Sequence, residues 1–344
     1  QKTLLPRTLD KEGKLITSDS KWWTSGFFPG VLWYLYEATG DTLLKEYACD
    51  YTSRVEKEKY NKGNHDVGFM LYCSYGNGFR LNPTSESEGV LINGAHALSA
   101  RYNPVVKCIR SWNKWRDYSY PVIIDNMMNL EMLMWAYKRT GDDTFKNIAI
   151  SHANTTKLHH FREDYSSFHV VAYDLKSGKV LQRGTDQGYG DDSSWARGQA
   201  WALYGYTMMY RETGNEDYLN LAWHIADFIL NHPHLPKDKI PYWDFDSPGI
   251  PDDYRDSSSA AIIASALLEL SKYSEGHRCE RYYTVAEQQL RMLASDEYMA
   301  EVGTNGFFIL KHGVGNIPQN SELDAPLSYG DYYFIEALLR YRNY

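Results

Sequence analysis

Apolar residues recur every three or four positions along most of this chain, and three of the stripes stop in the same way. The stretches "GVLWYLYEATGD", "NLEMLMWAYKRTGDD" and "AWALYGYTMMYRETGNEDY" each close on Thr-Gly followed by Asp or Asn. The periodicity predicts helices. Gly40, Gly141 and Gly214 then predict left-handed C-terminal caps, which glycine adopts without steric cost. A second amphipathic stretch follows each stop, such as Glu216 to Leu230, so the three read as one helix–turn–helix hairpin reused.

Helix starts show a second repetition. Six segments place a hydroxyl or an acid before an unusually apolar or small-residue run. They begin near Ser25 ("TSGFFPG"), Asp66 ("HDVGF"), Asp125 ("IIDNMMN"), Asp192 ("DDSSWARG"), Asp256 ("RDSSSAA") and Asp331 ("YGDYYF"). Side-chain capping of the free N–H groups is the expected role at each. Between them lie more polar helices, expected at about Thr42–Lys59, Thr84–Tyr102, Asp142–His159, Glu216–Leu230 and Arg278–Ala294. A sixth outer helix would have to precede residue 6, where Pro6 breaks the pattern, and is expected to have been trimmed. Alternating apolar and amphipathic helices in six hairpins predict an all-α fold, an (α/α)6 barrel. Its inner helices would run parallel, so the six starts would ring one mouth. A helical solenoid would need shorter, more regular repeats. The segment "SSFHVVAYDLKSGKVLQRGT" alternates and turns at Lys176-Ser177-Gly178, predicting a β-hairpin just before the fourth inner helix. No linker or low-complexity segment interrupts residues 1–344, so one domain is expected.

Composition narrows the function. The net charge of -8 argues against nucleic acid as a partner. No apolar run reaches the roughly 18 residues of a membrane span. Aromatic residues are abundant, with 29 Tyr, 12 Phe and 10 Trp. They fill cores, and they also stack on sugar rings, which keeps carbohydrate in view. Cys49, Cys73, Cys108 and Cys279 show no CxxC spacing, and four free thiols are the default reading. No HExxH, calcium-loop, GxGxxG, Walker or GxSxG pattern appears, so no metal or cofactor is expected. The chain begins Gln1-Lys2, which reads as a mature or trimmed product. An exported, periplasmic location is expected, with the cytoplasm as the alternative. A monomer or a weak homodimer is expected.

Candidate chemistry collects at the helix starts. Asp66 and Asp125 read either as ordinary caps or as a carboxylate pair doing acid–base work on a sugar. A helix N-terminus favours the ionised carboxylate, which suits a base. A working acid there needs burial and a second carboxylate nearby, so Asp66 would serve Asp125 as a like charge. Arg197 and Trp201 share a helix face at i, i+4, with Trp195 in the first turn. They read either as core with an Arg197 pair to Asp191 or Asp192, or as a carboxylate clasp and a pyranose wall. Gln187 can donate to and accept from hydroxyls. His65 and His169 flank the same regions, and a lone histidine is more often structural. His159 and His160 fall on an outer helix.

With these residues in hand, the chain resembles the unsaturated glucuronyl hydrolases of glycoside hydrolase family 88. The resemblance runs through "WWTSGFFPG", "HDVGF", "IIDNMMNLEMLMWA", "QGYGDDSSWARGQAW", "PYWDFD", "HGV" and "YGDYYFIEALLR". The block "DDSSWARGQAW" is the most specific. Family 105, which acts on rhamnogalacturonan, carries a "WGRGNGW"-like block there. The resemblance implies an (α/α)6 barrel and a substrate ending in a 4,5-unsaturated uronic acid. It implies hydration of the vinyl ether in place of displacement at the anomeric carbon. Asp125 would be the general acid/base and Asp66 the second essential acid. Trp23, His65, Trp112, His169, Gln187, Trp195, Arg197 and Trp201 match substrate-contacting positions. Asp186 departs from the histidine of many members, and "LKHGVGNIPQN" lacks a serine-rich pattern linked with sulfate binding in some. The alternatives are family 105-like action on pectin fragments and a sugar-binding barrel with a dead site.

Overall fold

The computed structural model describes residues 3–344. It is all-α, an (α/α) barrel built of helical hairpins with short β-hairpins between them. In chain order the elements are strands β1 (Leu5–Leu9) and β2 (Leu15–Ser18), then helices α1 (Phe27–Thr39), α2 (Thr42–Ser53), α3 (Val67–Leu71), α4 (Asn77–Leu81) and α5 (Ser85–Ser99). Strands β3 (Tyr102–Asn103), β4 (Cys108–Ile109) and β5 (Pro121–Ile123) precede α6 (Leu130–Thr140) and α7 (Asp143–His159). Strands β6 (Val170–Tyr173) and β7 (Val180–Gly184) precede α8 (Ala196–Thr213), α9 (Glu216–Asn231), α10 (Ser257–Ser271), α11 (Gly276–Leu293) and α12 (Ser328–Arg342). Two compact units are distinguished. One holds residues 3–6, Thr17–His160 and Val170–Arg183. The other holds Arg7–Ile16, Phe161–His169 and Gly184–Tyr344.

In the first unit α1 packs on α2, α3 on α5, and α6 on α7. A π-turn at Tyr72–Gly76 joins α3 to α4, so these form one inner helix with a bulge. The expected hairpin is β6–β7, and β5 adds as a third strand in the order β5-β6-β7. In the second unit α8 packs on α9, and α10 packs on α8, α11 and α12. All of α10 is buried, as its Ser/Ala/Ile/Leu composition requires of a helix apolar on every side. Its partner α11 buries one stripe only. Gly40, Gly141 and Gly214 close α1, α6 and α8 with φ of 72°, 75° and 68°, and each donates its N–H to a carbonyl four residues back.

The helix starts correct the capping expectation. Only Asp256 of the six caps its helix, accepting from Ser258 N. Asp66 sits at the N-cap of α3 and makes no cap bond. Asp125 lies inside a 3-10 turn, Ile124–Asn129, that leads into α6. Asp192 precedes α8 by several residues, and Trp195 holds its N-cap position without a side-chain bond. Ser25 bonds Ser20 O instead, one residue before the cap position of α1 at Gly26. Asp331 lies within α12 and accepts from Ile309 N and Leu310 N of the preceding loop. A capping carboxylate is committed to backbone.

Candidate active site

The first unit brings Asp66 and Asp125 into one buried cluster. Both are nearly covered, and the charge of each is felt by the other. Burial, then the neighbouring Asp125, push the Asp66 carboxyl up to about 8, against a smaller opposing pull from the Arg101 guanidinium. The pair therefore keeps one proton through neutral pH. The conflict between a helix N-terminus and a protonated acid is resolved by desolvation, with like charge second. His65 is wholly buried, and its Nε2 lies 3.3 Å from Asp66 Oδ1. Burial lowers its pKa to about 3, so the imidazole is neutral at working pH. Its Nδ1 lies 3.5 Å from Asn129 Nδ2. With Nδ1 turned to the Asn129 amide hydrogens, the imidazole proton sits on Nε2, facing Asp66.

Asn129 is the joint of this cluster. Its Oδ1 accepts from Phe69 N at 2.9 Å, tying the first turn of α3 to the turn that carries Asp125. Gly68 makes the approach possible. A Cβ there would stand 2.5 Å from Asn129 Oδ1 and 2.7 Å from its Cα. Gly68→Ala is thus expected to push the two helix starts apart. We expect a stability loss of about 1–3 kcal/mol by urea unfolding and a fall of at least about tenfold in kcat, because carboxyl spacing enters the chemistry directly. Unchanged kcat would remove the joint from the site. Trp23 packs edge-on against Phe69 at 5.6 Å and Phe27 at 5.8 Å, which places it beside α3. Trp112 is partly buried against Trp115, Ile123, Val170 and Ala172, next to the strand that delivers Asp125.

The second unit gathers the remaining residues around Arg197, which is 1% exposed. Its Nη2 donates to Gln187 Oε1 at 2.8 Å and Gly315 O at 2.6 Å, and its Nη1 to Val314 O and, at 3.3 Å, to Asp256 Oδ2. The ion-pair partner is Asp256, where the sequence suggested Asp191 or Asp192. Asp191 instead accepts from Thr185 N. The guanidinium stacks on Trp195 at 4.5 Å, and His169 lies 4.5 Å from the same indole. His169 Nδ1 accepts from Asp186 N at 3.1 Å, which places its proton on Nε2. Since Gln187 turns its oxygen to Arg197, its amide nitrogen is the end left to donate to a ligand. Trp195 and Trp201 are covered by protein, and Trp201, 0% exposed, packs edge-on against Tyr333. The core alternative for Trp201 is the one its position matches. Asp186 is partly exposed and accepts from Gln319 Nε2 at 3.2 Å.

No family model matches this chain. Individual relatives do. The unsaturated glucuronyl hydrolase of Formosa agariphila is 51% identical over 326 residues, covering 94% of this chain and 81% of its own. This chain belongs to the unsaturated glucuronyl hydrolases, glycoside hydrolase family 88. It is an enzyme, a glycoside hydrolase. A crystal structure of an unsaturated glucuronyl hydrolase specific for heparin superposes with a TM-score of 0.97 at 50% identity, covering all of this chain and 92% of that one. An unsaturated chondroitin disaccharide hydrolase of Streptococcus pyogenes is 32% identical over 343 residues, covering 98% of this chain and 85% of its own.

Supporting roles of four residues were not legible in the sequence, where Asp256 stands only as a helix start. Asn129 and Arg101 support the carboxyl pair. Asp256 holds Arg197. Asp244, wholly buried with its pKa raised by burial, folds the glycine-rich loop through Ser193 Oγ at 2.7 Å and Tyr189 N at 2.8 Å. "PYWDFD" signalled Asp244 only as part of a motif, and nothing local marks Arg101.

Proposed function

We propose that this hydrolase removes the 4,5-unsaturated uronic acid from the non-reducing end of fragments that polysaccharide lyases release from glycosaminoglycans. The observation that carries the reading is the buried Asp66–Asp125 pair, in which burial and the neighbouring Asp125 push the Asp66 carboxyl up to about 8. In the proposed reaction Asp125 takes up the proton of the pair from Asp66 and delivers it to carbon 4 of the double bond, and positive character grows at carbon 5 beside the ring oxygen. The carboxylates stabilise that charge electrostatically. Ionised Asp125 then takes a proton from the water that adds at carbon 5, which restores the proton of the pair. The hemiketal opens, and the glycosidic partner leaves as an alcohol. One water is consumed and no cofactor is needed. Asp66 keeps the proton on the pair and accepts hydrogen bonds from ring hydroxyls. Neutral His65 donates without adding charge. Trp23 and Trp112 are proposed as sugar walls. Gln187, oriented by Arg197 and Trp195, and His169 are proposed as donors to substrate oxygens, with Trp201 as backing.

Heparin-type fragments are the proposed substrates. The heparin-specific relative shares 50% of its residues with this chain, and the chondroitin disaccharide hydrolase 32%. Loss of ultraviolet absorbance across a panel of lyase products tests both levels. We expect heparin-derived disaccharides to be cleaved with a kcat/KM at least about tenfold above chondroitin-derived ones, about 1.4 kcal/mol in transition-state binding. Cleavage of rhamnogalacturonan fragments alone would assign the family 105-like activity instead. Absence of turnover on every unsaturated uronide would leave the sugar-binding alternative.

A further inference from the structure

Arg101 follows α5 and is 6% exposed. Its partners are three carbonyl oxygens: Nε donates to Arg110 O at 2.8 Å, Nη1 to Lys62 O at 2.6 Å, and Nη2 to Ser111 O at 3.0 Å. It forms no ion pair among the described residues. A buried guanidinium without a carboxylate is costly, because taking a charge out of water is repaid only by good compensation. The three carbonyls lie on segments that lead to the carboxyl pair. Lys62 belongs to the loop that ends in His65 and Asp66. Ser111 also accepts Ile123 N through its Oγ at 2.9 Å, two residues before Asp125, and Asn126 Nδ2 donates to Ile109 O at 3.0 Å. Arg101 thus clamps the approaches to both acids, and its charge reaches Asp66.

We propose that Arg101 is a positioning residue whose buried guanidinium holds the segments carrying Asp66 and Asp125 in place and favours negative charge on that pair. This rests on the acid–base reading of that pair. The groups that face it are few. Asp66 is faced by Asp125, His65 and Arg101, and His65 in turn by His152. Arg101 is faced by Arg110, Tyr120 and Asp66, with Tyr120 Oη donating to Arg101 O. His65 and His152 are neutral. The Arg101 charge favours negative charge on the pair, against burial and the repulsion between the two carboxyls, which push the other way.

The test compares Arg101→Gln with Arg101→Lys in the absorbance assay from pH 4 to 10. Glutamine removes the charge, so both limbs of the kcat/KM profile are expected to move up by about one pH unit or more. The activity lost at pH 6 should recover as pH rises. Lysine keeps the charge but cannot span three carbonyls as a guanidinium fork does. Its limbs should stay within about 0.3 pH unit of the parent while kcat falls at least about fivefold. Limbs of the folded glutamine variant that coincide with the parent overturn the proposal, as does a lysine variant displaced like glutamine. If the glutamine variant does not fold, lysine decides: full kcat, or a displaced profile, overturns it. Parent turnover in the same assay tests the hydrolase reading separately. Infrared titration of the carboxyls in parent and variants, which needs no turnover, reads the charge effect even if that reading fails.

Discussion

Asp66→Asn is expected to abolish turnover and, at pH 8, to leave the chain more stable than its parent. The first effect follows from loss of the group that keeps a proton on the pair, worth about 10³-fold or more in kcat. The second follows from linkage. The Asp66 pKa is raised from 3.8 to about 8 on folding. Below pH 3.8 both states hold the proton, and its stabilising effect is fully present. As pH rises, the unfolded chain releases its proton first, and the folded chain loses stability until Asp66 ionises near 8. Asparagine cannot ionise and escapes this loss. Relative to the parent, the variant is expected to gain about 1.4 kcal/mol per pH unit between pH 5 and pH 8. Thermal unfolding at the two pH values reads it. Asp125→Asn should lose turnover as completely, and it should lower the Asp66 pKa by removing the like charge. If Asp125→Asn keeps turnover, the acid–base pair is not the reacting group. If Asp66→Asn is no more stable at pH 8 than at pH 5 relative to the parent, the raised pKa is wrong.

The inner–outer alternation was legible because it is a one-dimensional signal. Glycine at a helix stop has a local steric cause, and Gly40, Gly141 and Gly214 all adopt the left-handed cap. Helix ends such as Asp143–His159 and Glu216–Asn231 fell where periodicity placed them. The starts were read less well, because an acid before an apolar run looks the same whether it caps or not. Asp256 caps and Asp66 does not, and the difference lies in what packs against each. Asn129 reaches the first turn of α3 from a residue about sixty positions away, and the Lys62, Arg110 and Ser111 carbonyls fill the Arg101 fork. Three-dimensional closure of this kind leaves no periodic trace.

The same limit hid the partner of Arg197. Sequence proximity favoured Asp191 and Asp192. The bond goes instead to Asp256, which also accepts from Ser258 N, Ser258 Oγ, Ser259 Oγ and Val314 N. One carboxylate thus caps α10, pins the Val314 loop and balances the buried guanidinium. The i, i+4 spacing of Arg197 and Trp201 placed both on the correct helix. It could not say that a helix inside a barrel is covered all round, which is why Trp201 is core.

Acid unfolding is the other large expected effect, and it comes from histidines rather than carboxylates. His65, His152 and His160 are all wholly buried, and burial holds each pKa near 3. His152 Nδ1 accepts from Ile109 N at 3.0 Å, which favours its neutral ring, whereas the 3.0 Å contact of His160 Nε2 with Val122 O works the other way and is outweighed by burial. Above pH 6.5 both folded and unfolded chains hold these rings neutral, and the stability is fully present. Below it the unfolded chain takes up three protons that the folded chain refuses, until the folded pKa is reached near 3. Each histidine removes about 1.4 kcal/mol per pH unit, so the three together remove roughly 4. Asp66 and Asp331, which hold protons in the folded chain up to about 8 and 7, work in the opposite direction. The parent is therefore expected to lose roughly 1.5 kcal/mol per pH unit between pH 6.5 and 4. Asp66→Asn removes one opposing carboxyl and should steepen this to roughly 3 kcal/mol per unit. Against a total stability of about 5–15 kcal/mol, that difference moves the acid midpoint measurably. Urea unfolding at pH 7, 6 and 5 on parent and variant measures both slopes. Resonances of His65, His152 or His160 that titrate near 6.5 in the folded chain would defeat the prediction, because they would show that the buried rings already reach solvent protons without unfolding.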